Sequence, residues 1–564
     1  MAQNNPIIRN HPWWRTLELV PGSLAWLVIF LPIALSTFAP IVAASFFIVY
    51  TIVWFFRSLK LSINLLRSTL RVKEAMKTDW NKLIDSYDHP EKINYEIQKI
   101  IHRGGQVRLG RTGKELKRVE NKELCSLRVF QKQIQALKKT HQYKKSKEIL
   151  HAILYVTYKE SYQLIRESIK SYATSQYPAS RIILVFAGEE LDRVNFMDMA
   201  KKIEAEFGKN FMKFIITVHP KNILGEIRGK SANSTYAARQ LKIYLDRINI
   251  DYENVMVSVF DADTVVHPQY FNELTFKYLT ADRRWEKAYQ PTHMFHNNIW
   301  DVPMMIRMVA LSCTFWRMAE SMEKEKYKSF SSRSLSFKTI VDVGYWDPSI
   351  IPEDSRQYWT AYTVYQGRHR LVPIYSPVYM DAVLSETYVK TFQNQYNQLR
   401  RWAWGVCDFP FVFLNLSQNH SISLFKKVYL IFEFLKNSLF WSTGPFLLTF
   451  MGFLPGLLNA GFRETVLAYN LPRMMSNILT LTSSGIVICT IISFILIPKN
   501  PKQNLWGNFL LCVQWLFIPV VSIFLSAIPA LDAQTRLLLG KHLEYRVTEK
   551  ARRGKLFTEK ALSH

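Results

Sequence analysis

Cysteine is scarce in this chain: five in 564 residues, at Cys125, Cys313, Cys407, Cys489 and Cys512, with no CxxC pair. That excludes a disulfide framework and a thiolate zinc site, and it fits a reduced, cytosolic environment. Acidic charge is also short. The 45 Asp and Glu residues against 72 Lys and Arg leave a formal net charge of +27. Such a balance calls for an anionic partner: nucleic acid, an anionic membrane face or a phosphorylated substrate. A small-residue cleavage site is missing too. The first apolar run begins near Pro21 and is followed by basic residues, so no cleavable signal peptide is expected.

What is present is hydrophobic residue, 48% of the chain, concentrated at its two ends. Residues 21–56 are almost continuously apolar. A spanning helix needs about 20 residues, so this run fits two short spans turning near Thr37–Pro40. Arg9 and Arg15 precede it, and Arg57, Lys60, Arg67 and Arg71 follow it, which predicts a hairpin with both ends in the cytosol. Residues 59–75 alternate basic and apolar at helical spacing and read as an interfacial helix; residues 1–75 are therefore taken as one membrane unit. Residues 76–148 are polar and highly charged, ending in the run Lys138–Lys147, and read as a solvated basic linker or insertion, or as a contact with anionic lipid.

Residues 149–405 read as an α/β domain. Strand-length apolar runs recur at Ile149–Thr157, Arg181–Phe186, Phe211–Val218 and Asn254–Phe260, with helical periodicity between them at Ser161–Tyr172 and Ser231–Ile248. This alternation predicts a mostly parallel sheet whose ligand site lies beyond the carboxyl ends of its strands. Residues 406–535 return to apolar segments, near 438–458, 475–498 and 505–530, preceded by an amphipathic stretch with Lys426, Lys427 and Lys436. The basic tail, 536–564, belongs inside, so an even number of crossings is expected: either 421–458 makes an extra crossing, or one later segment, such as that broken at Pro519, is re-entrant or interfacial. Basic residues lie largely beside the apolar runs, where each gains roughly 1 kcal/mol at an anionic bilayer. Lipid, and no nucleic acid, is the expected surface partner.

Four groups of residues can carry chemistry. The strand Val255–Phe260 ends in Asp261-Ala262-Asp263, two acids able to reach one Mg²⁺ or Mn²⁺ ion that bridges to phosphate oxygens; two solvated acids in a turn would look the same. Glu353-Asp354 follows Gly344-Tyr345-Trp346-Asp347. A carboxylate there can take a proton from a hydroxyl nucleophile, and Asp354 can equally cap the helix over Ser355–Val364. Gln398-Leu399-Arg400-Arg401-Trp402 offers an amide, a guanidinium fork and an indole for a phosphate and a sugar ring, or a bilayer anchor of Arg and Trp. Tyr545-Arg546-Val547-Thr548-Glu549-Lys550 is, taken alone, a basic juxtamembrane tail. His267, His293 and His296 read as structural or polar lining, with one of them as an extra metal ligand the alternative, which the spacing does not demand.

In order and spacing these groups resemble the family-2 membrane glycosyltransferases, which include cellulose, hyaluronan and chitin synthases. Thr157-Tyr158-Lys159-Glu160 matches the family's Tyr-x-Glu, Gly229-Lys230 its Gly-Lys, Asp261 to Asp263 its DxD, and Gln398 to Trp402 its Gln-x-x-Arg-Trp. Tyr545 to Lys550 is similar to its gating loop, with Tyr for Phe. The resemblance covers about residues 149–405 and implies a cytosolic GT-A-like domain with transmembrane helices at both ends, in the plasma (cell inner) membrane. It implies an inverting hexosyltransferase, drawing on a nucleotide-diphosphate sugar, with a UDP-sugar the first expectation. The acceptor is a growing polysaccharide, with processive export as one form of the activity; the alternative is non-processive transfer to a lipid or lipid-linked acceptor.

By the same resemblance Asp263 and Asp261 hold the metal, and Asp261 also touches the nucleotide. Tyr158 and Glu160 line the uridine pocket and Lys230 meets the diphosphate. Asp354 is the general base. Gln398, Arg401 and Trp402 grip donor and acceptor, Glu353 touches the acceptor, and Thr548 and Lys550 close over the donor. Two departures stand out. Ala187 occupies a strand end where the family carries a base-holding acid, with Glu189 the nearest substitute, and Pro352 precedes Glu353-Asp354 in place of the family's Thr. The competing reading from another class is a non-enzymatic basic membrane scaffold.

Overall fold

The computed structural model describes residues 10–104, 111–323, 325–500 and 504–543. Its centre is an eight-stranded sheet: β1 (Leu150–Val156), β2 (Ile182–Glu189), β3 (Lys213–His219), β4 (Val255–Phe260), β5 (Val265–Val266), β6 (Lys287–Met294), β7 (Arg333–Ser336) and β8 (Arg370–Tyr379), in the order β3-β2-β1-β4-β7-β6-β8-β5. The β3, β2, β1 and β4 strands run parallel, as do β6 and β8; β7 is reversed between β4 and β6, and β5 is reversed against β8. The fold is therefore α/β with a mostly parallel sheet, as the strand–helix alternation predicts.

Both faces of the sheet are buried, which explains why its first strands read as unbroken apolar runs. Ile153, Tyr155, Leu184, Phe186, Met256 and Phe260 point to one face, under α6 (Tyr162–Ala173), α7 (Arg193–Phe207) and α9 (Tyr270–Thr280). Leu154, Ile183, Val185, Val257 and Val259 point to the other, under α8 (Lys230–Arg247) and α11 (Phe337–Asp342). Each such Leu, Ile or Phe stabilises the fold by about 1.5–3 kcal/mol.

The amino-terminal apolar run forms α1 (Trp14–Phe38) and α2 (Pro40–Lys77), which break at Ala39. Residues 59–75, expected to be helical, continue α2 without a break. Leu65 and Val72 join the apolar layer of α10 (Met304–Glu320), Tyr379 and Met380. Residues 76–148 hold α3 (Trp80–Asp88), α4 (Pro90–Gly104) and α5 (Arg111–Lys139). Ile93 and Ile97, one turn apart, and Ile134 and Leu137, three apart, seat α4 and α5 on the core beside Tyr87. The Tyr87 hydroxyl donates to the Leu279 carbonyl at 3.2 Å.

Beyond α12 (Glu353–Val364) and β8 come α13 (Tyr388–Ala403), α14 (Phe409–Gln418) and α15 (Leu424–Thr449). Four helices among the described residues are long and apolar enough to cross a membrane: Trp14–Phe38, Pro40–Lys77, Val466–Leu496 and Leu505–Leu538. A fifth candidate, Leu424–Thr449 with Met451–Leu458, is bent by 50°. Phe315 of α10 stacks on Trp515 of the last apolar stretch at 5.8 Å. The five cysteines are all free.

Candidate active site

Asp261 and Asp263 leave the carboxyl end of β4, and the first helical residue of α8, Lys230, reaches Asp261: its ammonium donates to Oδ1. Burial by itself would push this lysine down. The carboxylates of Asp261, Asp354 and Glu353 outweigh it and raise the group above the ordinary lysine range, so it stays charged through neutral pH. Asp263 is 1% exposed. Its Oδ2 accepts the Asp381 amide at 2.8 Å, and its carbonyl accepts Asn297 Nδ2 at 3.0 Å. The same Asn297 amide reaches Asp381 Oδ1 at 2.9 Å.

Glu353 and Asp354 open the first turn of α12, where the helix dipole favours acids. The N-cap position is Pro352 and no side chain caps the helix, so Asp354 is free of the capping role considered for it. Its partner comes from β7. Arg333, 2% exposed and paired in register with Val259 of β4, donates one arm to Asp354 Oδ1 and the other to Gln357 Oε1. Burial, then the neighbouring Asp354, pushes the Glu353 carboxyl up, against the opposing charge of Lys230.

The third wall is α13. Trp402 lies edge-on to Phe330 at 5.5 Å and tilted to Phe295 at 6.2 Å, and Phe330 is edge-on to His293 at 5.0 Å. His293 Nε2 donates to the Ser331 carbonyl at 2.7 Å, and the neighbouring Ser332 hydroxyl accepts the Asp261 amide at 3.2 Å. Gln398 is buried and accepts from Gln395 at 3.2 Å; Arg401 is half-buried. Burial pushes His293 and His296 down to about 3 and His267 to about 4, so all three are neutral lining.

Tyr158 and Glu160 stand at the end of β1. Glu160 Oε2 accepts the Thr157 hydroxyl at 2.6 Å and the Tyr158 amide, so this carboxylate holds its own turn. It lines a cavity of about 470 Å³ with Lys159, Asn195 and Met199, which contains none of Lys230, Asp261, Glu353 or Asp354. Glu189, the substitute for the acid missing at Ala187, is spoken for by His219. The imidazole bridges Glu189 at 3.0 Å and Glu226 at 2.9 Å. Thr548 and Lys550 lie outside the described residues.

Lys230, Asp261, Glu353 and Asp354 thus surround one another, with Trp402 reached through Phe330 and His293. Arg333, Asn297 and Asp381 are the members that no motif announces. Among the described residues no group of three or more His, Cys, Asp or Glu side chains is arranged to hold a metal ion. The two carboxylates after β4 suit a hard divalent ion that takes its remaining ligands from phosphate and water.

No family model matches the chain, and no curated protein matches it. Among solved structures it is similar to mannosyltransferase PcManGT from Pyrobaculum calidifontis, in complex with GDP-Man and Mn²⁺, at 14% identity over 70% of this chain and 88% of that one, with a TM-score of 0.37. It is also similar to S. aureus TarS 1–349, at 11% identity over 72% and 99%, with a TM-score of 0.31. Likeness at these scores carries no weight for function.

Proposed function

We propose that this protein is a membrane-embedded, inverting glycosyltransferase that moves a hexosyl group from a nucleotide-diphosphate sugar, a UDP-sugar first, to a growing polysaccharide. The observation that carries this reading is the position of Lys230 among Asp261, Asp354 and Glu353, at the strand ends where open α/β sheets bind ligands. A fixed cation beside carboxylates suits a diphosphate leaving group next to a proton acceptor.

Asp261 and Asp263 are the residues that would hold Mg²⁺ or Mn²⁺, which supplies neutralising charge to the leaving diphosphate. Lys230 binds the same diphosphate. Asp354 takes the acceptor's proton as its oxygen attacks the anomeric carbon from the face opposite the departing nucleotide, and Glu353 touches the acceptor. Tyr158 and Glu160 border the nucleoside, while Gln398, Arg401 and Trp402 bound the acceptor side and Thr548 and Lys550 close over the donor. The apolar helices hold the acceptor at the inner face of the plasma membrane.

The test is release of nucleoside diphosphate by purified protein from UDP-glucose, UDP-N-acetylglucosamine and GDP-mannose, with and without Mn²⁺. Divalent-dependent release from one donor, lost in Asp263→Ala, is the expected result; no release from any donor, or release indifferent to Asp263, sinks the reading. Product size then separates a polymer from a single glycosylated lipid.

A further inference from the structure

We propose that Arg57 and Lys328 form a binding site for the phosphate of an anionic membrane lipid, at the level where the apolar helices leave the bilayer. The site rests on the membrane placement of those helices and not on the sugar-transfer chemistry.

Three helices and one connecting segment meet there. The Arg57 guanidinium of α2 lies 4.5 Å from the ring of Phe440 on α15, 5.4 Å from Trp316 of α10 and 5.9 Å from Trp54 of its own helix. Phe440 also stacks on Tyr50 of α2 at 5.7 Å. The Lys328 ammonium, on the segment after α10, lies 5.3 Å from Phe434 of α15 and 6.0 Å from Trp359 of α12. The charges of Glu320 and Glu433 act on both cations, so the two belong to one cluster.

The cluster marks a level. Arg57 is the first charged residue of α2, and Lys436 is the last charged residue of α15. Phe440, one turn beyond Lys436, is the ring nearest Arg57. The two helices therefore change from apolar to charged side by side. On the membrane placement that level is the headgroup layer.

The acids of the cluster are already engaged. Glu320 pairs with Arg317 at 2.5 Å, Glu323 with Lys60 at 2.6 Å, and Glu433 with Lys326 at 3.4 Å and with Lys436. Arg57 and Lys328 are left over. Both are half-buried, and among the described residues neither side chain has an ion pair or a hydrogen bond. The aromatic faces stabilise each cation by about 0.5–2 kcal/mol, but a ring face does not neutralise a charge. Burial pushes Lys328 below the ordinary lysine range even with Glu320 and Glu433 pulling the other way. One further anion is what the cluster lacks.

A phosphate suits these two groups. The guanidinium fork matches two phosphate oxygens, and the ammonium supplies a point charge. The surroundings select a lipid as its source. Val53 and Phe56, beside Arg57 on the apolar part of α2, are 48% and 62% exposed, and they offer acyl chains an apolar surface directly next to the cation. The site also has a line to the cleft. Arg317 donates its second arm to the Lys328 carbonyl at 2.7 Å, and its guanidinium lies 5.1 Å from Phe330, the ring edge-on to Trp402. A phosphate held by Lys328 braces the segment that carries Phe330.

The experiment uses the full chain in a non-ionic detergent, titrated with dioleoyl phosphatidylglycerol, dioleoyl phosphatidylcholine or inorganic phosphate. Bound lipid is counted by native mass spectrometry, and the thermal midpoint is followed in parallel. Phosphatidylglycerol is expected to bind about tenfold or more tighter than phosphatidylcholine and to raise the midpoint. Arg57→Gln combined with Lys328→Gln should weaken phosphatidylglycerol by about 10–100-fold, the loss expected for charge-assisted contacts. Arg57→Lys, which keeps the charge and loses the fork, should fall between the two, and Lys427→Gln, an equal charge loss elsewhere on α15, should match wild type. Equal affinity for the two lipids overturns the site, as does undiminished phosphatidylglycerol binding in the double variant or, if that variant fails to fold, in Arg57→Lys. Inorganic phosphate held as tightly as phosphatidylglycerol overturns the lipid source. A chain that stays in solution once detergent is removed would instead sink the membrane placement. Donor turnover enters none of these readouts, so failure of the sugar-transfer reading is seen separately.

Discussion

Arg400 donates from Nη1 to Oδ2 of Asp532 at 2.9 Å, and the Tyr396 hydroxyl donates to the same oxygen at 3.0 Å. The helix that ends at Arg401 and Trp402 is thereby fastened to the last apolar stretch, Leu505–Leu538. The two charged side chains are 20% and 24% exposed, between the surface and fully buried cases. A double-mutant cycle with Arg400→Gln and Asp532→Asn should give a coupling of about 1–2 kcal/mol in thermal unfolding in detergent. A coupling near zero would mean that the pair is incidental.

Arg356 of α12 sits between two buried acids, 3.2 Å from Asp347 and 2.8 Å from Asp408, with Phe411 under its guanidinium at 4.1 Å. Burial pushes the Asp408 carboxyl up, and Arg356 opposes that. Arg356→Met leaves both acids without their cation and should destabilise the protein by about 3–5 kcal/mol. The readout is the thermal midpoint; a loss under about 1 kcal/mol would show that the acids find other partners or simply protonate.

The His219 bridge predicts a pH-dependent loop. Burial would push the imidazole down, but Glu189 and Glu226 outweigh it and raise it above its usual value. For a raised folded-state value the stabilisation is full below the unfolded value and is lost as pH rises through the folded one. Residues 220–229, which carry Glu226, should exchange amide hydrogens faster at about pH 8 than at about pH 6, after correction for intrinsic rates. His219→Gln should remove the difference, and Tyr236, edge-on to the ring at 5.7 Å, should be unaffected in its own amide.

Lys230→Met should weaken UDP or GDP binding by about 10–100-fold, since a charge-assisted contact to the diphosphate is lost and the charges of Asp261, Asp354 and Glu353 lose the cation nearest them. Because this lysine is raised above its ordinary range, its contribution to binding should be flat between about pH 6 and pH 9. Calorimetric titration checks both. Equal affinity in the variant would remove Lys230 from the diphosphate.

How much of this was legible in the sequence depends on which contacts are local. β1, β2, β3 and β4 stand out because two buried faces make continuous apolar runs. β6 and β7 do not: Gln290, Thr292 and His293, and Arg333, Ser334 and Ser336, are polar residues buried within the sheet. α4 and α5 were masked by the charge on their outer faces, and the junction at Arg57 and Lys60 hid the unity of α2. Asp261, Asp263 and Glu353-Asp354 announce themselves by position within a motif. Arg333 meets Asp354 from the reversed strand β7, and Asp381 meets Asp263 where the antiparallel pairing of β8 with β5 continues past Tyr379 and Val265, so no spacing along the chain points to either.

The unbroken length of α2 has a mechanical consequence. At 38 residues it is a shaft of about 57 Å, roughly twice the thickness of a hydrocarbon layer. Its first half is apolar enough to cross a membrane, and its second half packs on α10 and the end of β8 through Leu65 and Val72. No break in the helix separates the two halves. On the proposed membrane placement such a strut has no joint to absorb tilt, so turnover should respond to the acyl-chain length of the surrounding bilayer as a lever responds to its fulcrum.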